Sequence, residues 1–158
     1  MPTYYVDTDV IGGAGNGSSW ANAYATLQGC IAGVTKAITE PLVINCRGAT
    51  ADTAAVNVAG FTGVSGTNTI TIQVGQSDRS PGKVDLAKYH IVMGTNYTTA
   101  FTVTNQYVTV DGVQCRNSAT TSGYGVFIAL ANNNTFKNCI AYGSLDATFD
   151  PGSGGADD

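Results

Sequence analysis

Apolar and polar residues alternate with a period of two over most of the chain after Pro41. This alternation predicts β-strands with one buried face. In "LVINC" the buried face would carry Leu42, Ile44 and Cys46, and "ITIQV" from Ile70 repeats the same phase. The further strand segments are "YHIVM", "AFTVT", "YVTV", "VQC", "YGVFIAL" and "NTFKNCIAY". The polar runs between them differ in length, so they do not predict a regular hairpin meander.

One segment before Pro41 has the period of a helix instead. In "TLQGCIAGVTKAI", from Thr26 to Ile38, five apolar residues gather on one helical face. They are Leu27, Cys30, Ile31, Val34 and Ile38. The hydroxyl of Thr26 can accept a hydrogen bond from a free N–H of the first turn, so Thr26 is the predicted N-cap. Pro41 should prevent any continuation of the helix.

A weak internal repeat favours stacked coils of chain over a β-sandwich. Residues 108–118 align with residues 134–144 at an offset of 26, and this places Val110 opposite Phe136 and Cys115 opposite Ala141. A fixed advance with apolar residues in register is typical of solenoids, in which each coil buries its inward side chains on the next. The alternative is an irregular sandwich of hairpin-linked antiparallel strands.

The stretch "NNTFKNCIAY" has the order of residues that one coil of a solenoid requires. Asn133 and Asn134 would enter the coil, and Asn138 would turn a corner within it. Phe136 and Cys139 would then point inward. Asparagine side chains at such corners can bond to the backbone of the neighbouring coil.

Nearly the whole chain resembles right-handed parallel β-helix proteins of the pectate-lyase-like superfamily, most specifically in its first 45 residues and more loosely in the strands of "VTVDGVQCRNS" and "NNNTFKNCIAYGS". The residues that carry the resemblance are Tyr5, Val6 and Asp7, then Ser19, Trp20 and Ala23, then Thr26, Leu27 and Gln28. The resemblance implies an all-β fold, a short right-handed parallel β-helix with an N-terminal capping α-helix. We expect a strand, a Gly/Asn-rich loop and the capping helix over residues 1–41, β-helix coils over 42–145, and a Gly/Asp-rich flexible tail over 146–158.

Composition excludes several classes of function. Charged residues make up only 11% of the 158 residues, against about 25% in soluble domains. The net charge is −4 and the seven basic residues are scattered, so nucleic acid is not an expected partner. The chain has no apolar run long enough to span a bilayer. Its first residues, "MPTYYVDTDV", have no secretory signal pattern.

The cysteines and glycines do not predict a metal site or a bound cofactor. Cys30, Cys46, Cys115 and Cys139 lack paired spacing and have apolar neighbours, so we expect reduced, buried thiols. The run "GGAGNG" at residues 12–17 is similar to a calcium-binding nonapeptide, but Asn16 replaces its acidic ligand and the motif occurs once. We interpret this run as a loop.

Candidate residues for polysaccharide cleavage are few and dispersed. Such chemistry needs two carboxylates, or a calcium site with a basic proton acceptor. The acidic candidates are Asp111, Asp146 and Asp150, and the possible partners are Arg116, Lys137 and His90. The offset of 26 places Asp111 beside Lys137, which predicts a surface ion pair. His90 is predicted to be a half-buried strand residue, and no residue is nominated as catalytic.

The last predicted coil would lack a second capping helix, so its apolar side chains would need a cover from further chain or from another subunit. Tyr142, Leu145 and Phe149 are the predicted contacts at this end. The function predicted first is therefore a non-enzymatic structural or adhesive protein of a virus-like particle, such as a phage capsid decoration or tail appendage. It would assemble as a homo-trimer or on a particle lattice, be made in the cytoplasm without a signal peptide, and reside in a virion or other extracellular particle.

Two alternatives belong to other functional classes. The superfamily resemblance implies a polysaccharide lyase or glycoside hydrolase, or an N-terminal fragment of one. A carbohydrate-binding module would use Tyr97, Tyr107 or Tyr124 as stacking platforms. Either alternative would make a polysaccharide the partner.

Overall fold

The chain folds mainly into β-strands that pair in parallel, with one short α-helix near its N-terminus. The computed structural model describes residues 1–94, 99–117, 126–143 and 149–150. The strands are β1 (Thr3–Asp7), β2 (Leu42–Arg47), β3 (Val56–Val58), β4 (Ile70–Val74), β5 (His90–Met93), β6 (Phe101–Val103), β7 (Val108–Asp111), β8 (Gln114–Asn117), β9 (Phe127–Ala129), β10 (Thr135–Lys137), β11 (Ile140–Tyr142) and β12 (Phe149–Asp150). Of the predicted tail, only β12 lies within the described residues.

The helix α1 (Leu27–Gly33) begins where the sequence predicts and ends earlier. The hydroxyl of Thr26 accepts a hydrogen bond from the N–H of Gly29 at 3.0 Å, which confirms the predicted N-cap. The prediction that the helix reaches Ile38 is wrong, because Val34 is already extended and the Ile38 N–H donates to the Thr62 carbonyl at 3.0 Å. A 3-10 helix (Trp20–Asn22) precedes α1. No helix within the described ranges has the length and apolar content needed to span a membrane.

The strands form three sheets that the chain visits in turn. The strand orders are β1-β2-β4-β7-β10 in the first sheet, β11-β8-β5 in the second and β12-β9-β6-β3 in the third. From β4 onward, each pass of the chain contributes one strand to the first sheet, one to the second and one to the third. Every strand pairing among the described residues is parallel, so the hairpin-linked antiparallel sandwich is wrong.

The register of the first sheet stacks like side chains above one another. Ile44 pairs with Ile72, Ile72 with Val110 and Val110 with Phe136, which gives one inward column across four strands. The first three of these side chains are fully buried. The outward residues beside this column include Thr71, Thr109 and Thr135, which are register partners on β4, β7 and β10. The predicted phase of "LVINC" and "ITIQV" and the predicted offset of 26 are therefore confirmed.

Asparagines form the corners and links between passes that the sequence predicts. Asn138 lies between β10 and β11 with a φ of 52°, a left-handed conformation that asparagine tolerates better than most residues. The side-chain oxygen of Asn134 accepts the Val108 N–H at 2.9 Å, which joins two successive passes. Asn105 makes a similar link, since its side chain accepts the Phe61 N–H at 3.0 Å and donates to the Phe61 carbonyl at 2.8 Å.

The loop between β4 and β5 explains why the polar Gln114 occupies a register position that the apolar Ile140 takes one pass later. Gln114 lies next to the inward Cys115, yet its side chain is completely buried. Its amide accepts the Asp85 N–H at 2.8 Å and donates to the Asp85 carbonyl at 2.8 Å and the Tyr89 carbonyl at 3.3 Å. The loop thus covers the outer face of the second sheet here, and a buried polar residue is satisfied by its backbone.

Replacing Ile72 by alanine tests the stacked column directly. Ile72 is fully buried between Ile44 and Val110, so Ile72→Ala should lower the free energy of unfolding by about 2–5 kcal/mol. The neighbouring Thr71→Ala, which alters the outward side of the same strand, should cost less than about 1 kcal/mol. Urea unfolding of both variants measures this, and equal losses would show that the two faces of β4 do not differ in packing.

Candidate functional site

Asp111, at the end of β7, is the predicted acidic candidate that the structure places among charged partners. One carboxylate oxygen accepts from the Asn138 side-chain amide at 2.7 Å and lies 3.2 Å from Nη1 of Arg79. The other oxygen lies 3.5 Å from Nζ of Lys137, its register partner. The predicted ion pair between Asp111 and Lys137 is therefore confirmed, and Arg79 is a partner that the offset did not indicate.

These contacts give Asp111 a structural role. Burial acts to raise the pKa of Asp111, but the hydrogen bond from Asn138 and the charges of Arg79 and Lys137 outweigh it, so the pKa lies below its ordinary value. Arg79 also donates to the Val74 carbonyl through Nε at 3.2 Å and Nη2 at 2.9 Å. The cluster therefore ties together three successive passes of the chain. A carboxylate that stays ionised and bonded on both oxygens is poorly suited to general acid catalysis.

The other predicted acid–base residues lie elsewhere. His90 is in β5 of the second sheet, buried, with Nδ1 2.8 Å from the Lys88 carbonyl. This confirms a strand position, although the residue is more buried than predicted. Arg116 is exposed on β8 of the same sheet. Asp146 lies outside the described residues, and for Asp150 only its backbone in β12 is described.

The last described pass ends in an apolar face that is covered only in part. We call this the end face and define it by Phe136, Cys139 and Ala141, which pack against the core while each is half-buried. Their neighbours one pass earlier, such as Val110 below Phe136 and Cys115 below Ala141, are fully buried. The Phe136 ring packs edge-on to two aromatic rings of the core, with centroid distances of 5.4 and 6.5 Å.

The predicted contact residues fall partly within the described chain. Tyr142 is half-buried on β11, in register with Arg116, and its buried hydroxyl has no hydrogen-bond partner among the described residues. Phe149 pairs with Phe127 through the backbone of β12. Leu145 lies outside the described residues, as do Tyr97 and Tyr124 of the carbohydrate-binding alternative. Tyr107, the third of those tyrosines, is half-buried directly before β7.

A buried carboxyl that sequence reasoning missed connects α1 to the sheets. Asp52 is 1% exposed, and its Oδ2 accepts the Leu27 N–H at 2.8 Å and the Tyr89 hydroxyl at 3.2 Å. Its Oδ1 accepts the Ala54 N–H at 3.0 Å. Burial raises the pKa of Asp52, and these hydrogen bonds only partly oppose the shift. The residue lies in a short run of glycine, alanine and threonine without periodicity, so no sequence signal marks it as buried.

Three of the four cysteines are buried in the core. All four are free, and Cys30, Cys46 and Cys115 are buried, as predicted, whereas Cys139 is only half-buried. Burial raises the pKa of Cys30 to about 12 and the pKa values of Cys46 and Cys115 well above the ordinary thiol value. Thiols held protonated in this way are weak nucleophiles and weak metal ligands. Within the described ranges, no three His, Cys, Asp or Glu side chains are grouped to hold a metal ion.

Comparison with protein-family models, with curated proteins and with solved structures yields no match to this chain. The functional interpretation therefore depends on the residues and their geometry.

Asp52 should make stability depend on pH in a defined direction. Its folded pKa lies above the unfolded value of about 3.9, so its contribution is complete below that pH and is lost as pH rises through the raised pKa. We expect the free energy of unfolding to fall over this interval, and Asp52→Asn, which cannot ionise, to remove that part of the fall. Urea unfolding between about pH 4 and 8 measures it. Identical pH profiles for the two proteins would contradict the role assigned to Asp52.

Proposed function

We propose that the three parallel sheets are the faces of a short right-handed β-helix, with α1 as its N-terminal cap. The regular visits of the chain to the three sheets, the stacked columns and the asparagine at the corner between β10 and β11 support this architecture. The right hand is the one that parallel crossover connections adopt almost without exception. The residues from Tyr5 to Gln28 that resemble the pectate-lyase-like superfamily favour the same arrangement.

We propose further that the protein is a non-enzymatic structural or adhesive component that acts by assembly with other protein subunits. A capsid decoration or tail appendage of a phage, in a virion or other extracellular particle, is the role we favour. One observation carries the proposal: the inward columns are fully buried through the body of the fold and become half-exposed at the end face.

The opposite end of the first sheet is closed by the chain itself. The outer edge of β1 is bonded to residues 17–24, with Tyr5 N–H donating to the Gly17 carbonyl at 3.0 Å and Asp7 N–H donating to the Tyr24 carbonyl at 2.9 Å. The helix α1 packs against β1 and β3 at this end. Further strands therefore cannot be added at β1 without displacing these segments.

Within the part of the chain that the structure describes, β10, β11 and β12 are the outermost strands of the three sheets at the end face. Strands at the edge of a sheet present backbone groups that another chain can bond, and strand addition is a common mode of protein association. Apolar side chains covered by such a partner contribute about 25 cal/mol for each Å² removed from water. Cys139 and Ala141 offer small apolar groups for such contact. This chemistry suits a protein subunit better than a sugar.

The polysaccharide-cleaving alternative gains no support from Asp111. Its oxygens are held by Arg79, Lys137 and Asn138, and the surrounding charges keep it ionised. Cleavage by two carboxyl groups would need a second one facing Asp111 across the bond. Cleavage at a calcium site would need several acidic groups and a basic partner, but within the described ranges no three such ligands are grouped, and His90 and Arg116 lie on a different sheet from Asp111.

The test is the mass of the protein in solution. One chain has a mass of 16.2 kDa, and we expect sedimentation equilibrium of the whole chain to show a trimer or a larger assembly. Ala141→Lys places a charge on the end face and should reduce the assembly to monomers, because an unpaired charge in an apolar interface is strongly unfavourable.

The matched control is Ala21→Lys, the same change at an exposed position of the 3-10 helix beside β1. This variant should keep the mass of the wild type. A wild-type protein that stays monomeric over the whole concentration range would contradict the proposed assembly. Equal loss of assembly in both lysine variants would show that the end face is not the contact.

A further inference from the structure

A polar pocket of about 460 Å³ lies between the ends of β1 and β2 and the loop that joins β4 to β5. Its charged lining residues are Asp7, Asp9, Arg47, Asp78 and Lys88. The pocket is at the β1 end of the first sheet and contains none of the residues that define the end face. Its volume falls within the range of small-ligand sites, but its lining is more polar than usual.

Arg47 is held in a fixed orientation on one side of the pocket. Its Nε lies 2.8 Å from a carboxylate oxygen of Asp7, and its guanidinium carbon lies 4.1 Å from the centre of the Trp20 ring. Tyr5 packs edge-on against Trp20 at 4.7 Å. This arrangement uses one donor atom of Arg47. Its two terminal nitrogens have no hydrogen bond within the described residues, so they remain available to a ligand.

Asp9 is fixed by the backbone that follows β2. Its two carboxylate oxygens accept the N–H groups of Ala49 at 2.6 Å and Thr50 at 2.9 Å. The Thr50 hydroxyl and these backbone bonds keep the pKa of Asp9 below its ordinary value. Gly48 makes the close approach possible: with a φ of 114°, it lies where a Cβ would collide with the Thr8 side chain and with the Thr8 nitrogen at 2.8 Å.

The opposite wall is organised around Ser77 in the β4–β5 loop. Nζ of Lys88 donates to the Ser77 carbonyl at 2.6 Å, and the Ser77 hydroxyl donates to a carboxylate oxygen of Asp78 at 3.0 Å. Lys88 keeps two further donors and Asp78 keeps a second oxygen acceptor. Fixed donors and fixed acceptors of both charge signs therefore line one small volume.

We propose that this pocket binds an uncharged, polyhydroxylated ligand of about one or two sugar rings. A hydroxyl group both donates and accepts, so the hydroxyls of a sugar ring can accept from Arg47 on one wall and Lys88 on the other, and can donate to Asp9 and Asp78 on the same two walls. An anion would be attracted by Arg47 and Lys88 but repelled by Asp7, Asp9 and Asp78, and a cation would meet the reverse, so neither sign of net charge is strongly favoured. The mixed charges thus select for a neutral ligand. The site is independent of the proposed assembly.

Trp20 is the only tryptophan of the chain and reports on this pocket through its contact with Arg47. The whole protein is titrated with neutral malto-, cello-, manno- and galacto-oligosaccharides of two to four sugars, with tryptophan fluorescence as the first readout. Amide NMR shifts of Gly48 and Ala49, which line the pocket, are the second. We expect saturable binding with a Kd near the millimolar range, as shallow polar sites give.

Two variants and one control locate the binding. Lys88→Met and Asp78→Ala each remove a free hydrogen-bonding group and should weaken binding about ten-fold. Lys83→Met removes the same charge from an exposed position of the same loop that does not line the pocket, and should change the Kd by less than about two-fold.

Three results would overturn the proposal. The first is the lack of any saturable response, in fluorescence or in the amide shifts, up to about 50 mM saccharide. The second is equal affinity in Lys88→Met and Lys83→Met. The third is tighter binding of glucuronate or glucosamine than of the matching neutral sugar, since a charged ligand would then be the one selected. A monomeric mass would refute the assembly and leave this site unaffected.

Discussion

The burial of apolar side chains in parallel register is the constraint on which the rest of the structure depends. Because successive strands of the first sheet pair residue for residue, the column from Ile44 to Phe136 is dry along its length until the last pass. A slip of one residue on any strand would turn its apolar side chains outward and expose the whole set. The inward columns therefore determine both the direction of every side chain and the identity of its neighbours.

The same register decides where charges meet. Asp7 and Arg47 are register partners on β1 and β2, and Asp111 and Lys137 are partners on β7 and β10. Asn45 and Gln73, which are also partners, join their side chains at 2.9 Å. Only 11% of the residues are charged. Several of these charged side chains in the described part of the chain form ion pairs that join one pass to the next. For this reason the carboxylate of Asp111, the candidate whose side chain the structure describes, is occupied by an ion pair and not by a second acidic group.

Local patterns predicted most of the strands after Pro41, the N-cap at Thr26 and the offset between β7 and β10, because each depends on residues close in sequence. The extent of α1 was not predictable, since Val34 and Ile38 are buried whether the chain is helical or extended. The strand β3 has three residues, too few for alternation to be distinguished from chance. The pairing of Asp52 with α1 and Tyr89 depends on the path of the whole chain, which leaves no local signal.

The irregular loop between β4 and β5 adds what the repeated passes alone do not provide. Its residues cover Gln114 on the second sheet, and Arg79 from this loop reaches Asp111 one pass later. Lys88 of the same loop faces Arg47, which belongs to an earlier pass, across the polar pocket. On the repeated strands, polar side chains that are register partners form hydrogen bonds or ion pairs with each other. An insertion brings together side chains from passes that register would keep apart, so polar groups with unused bonding capacity can accumulate beside it.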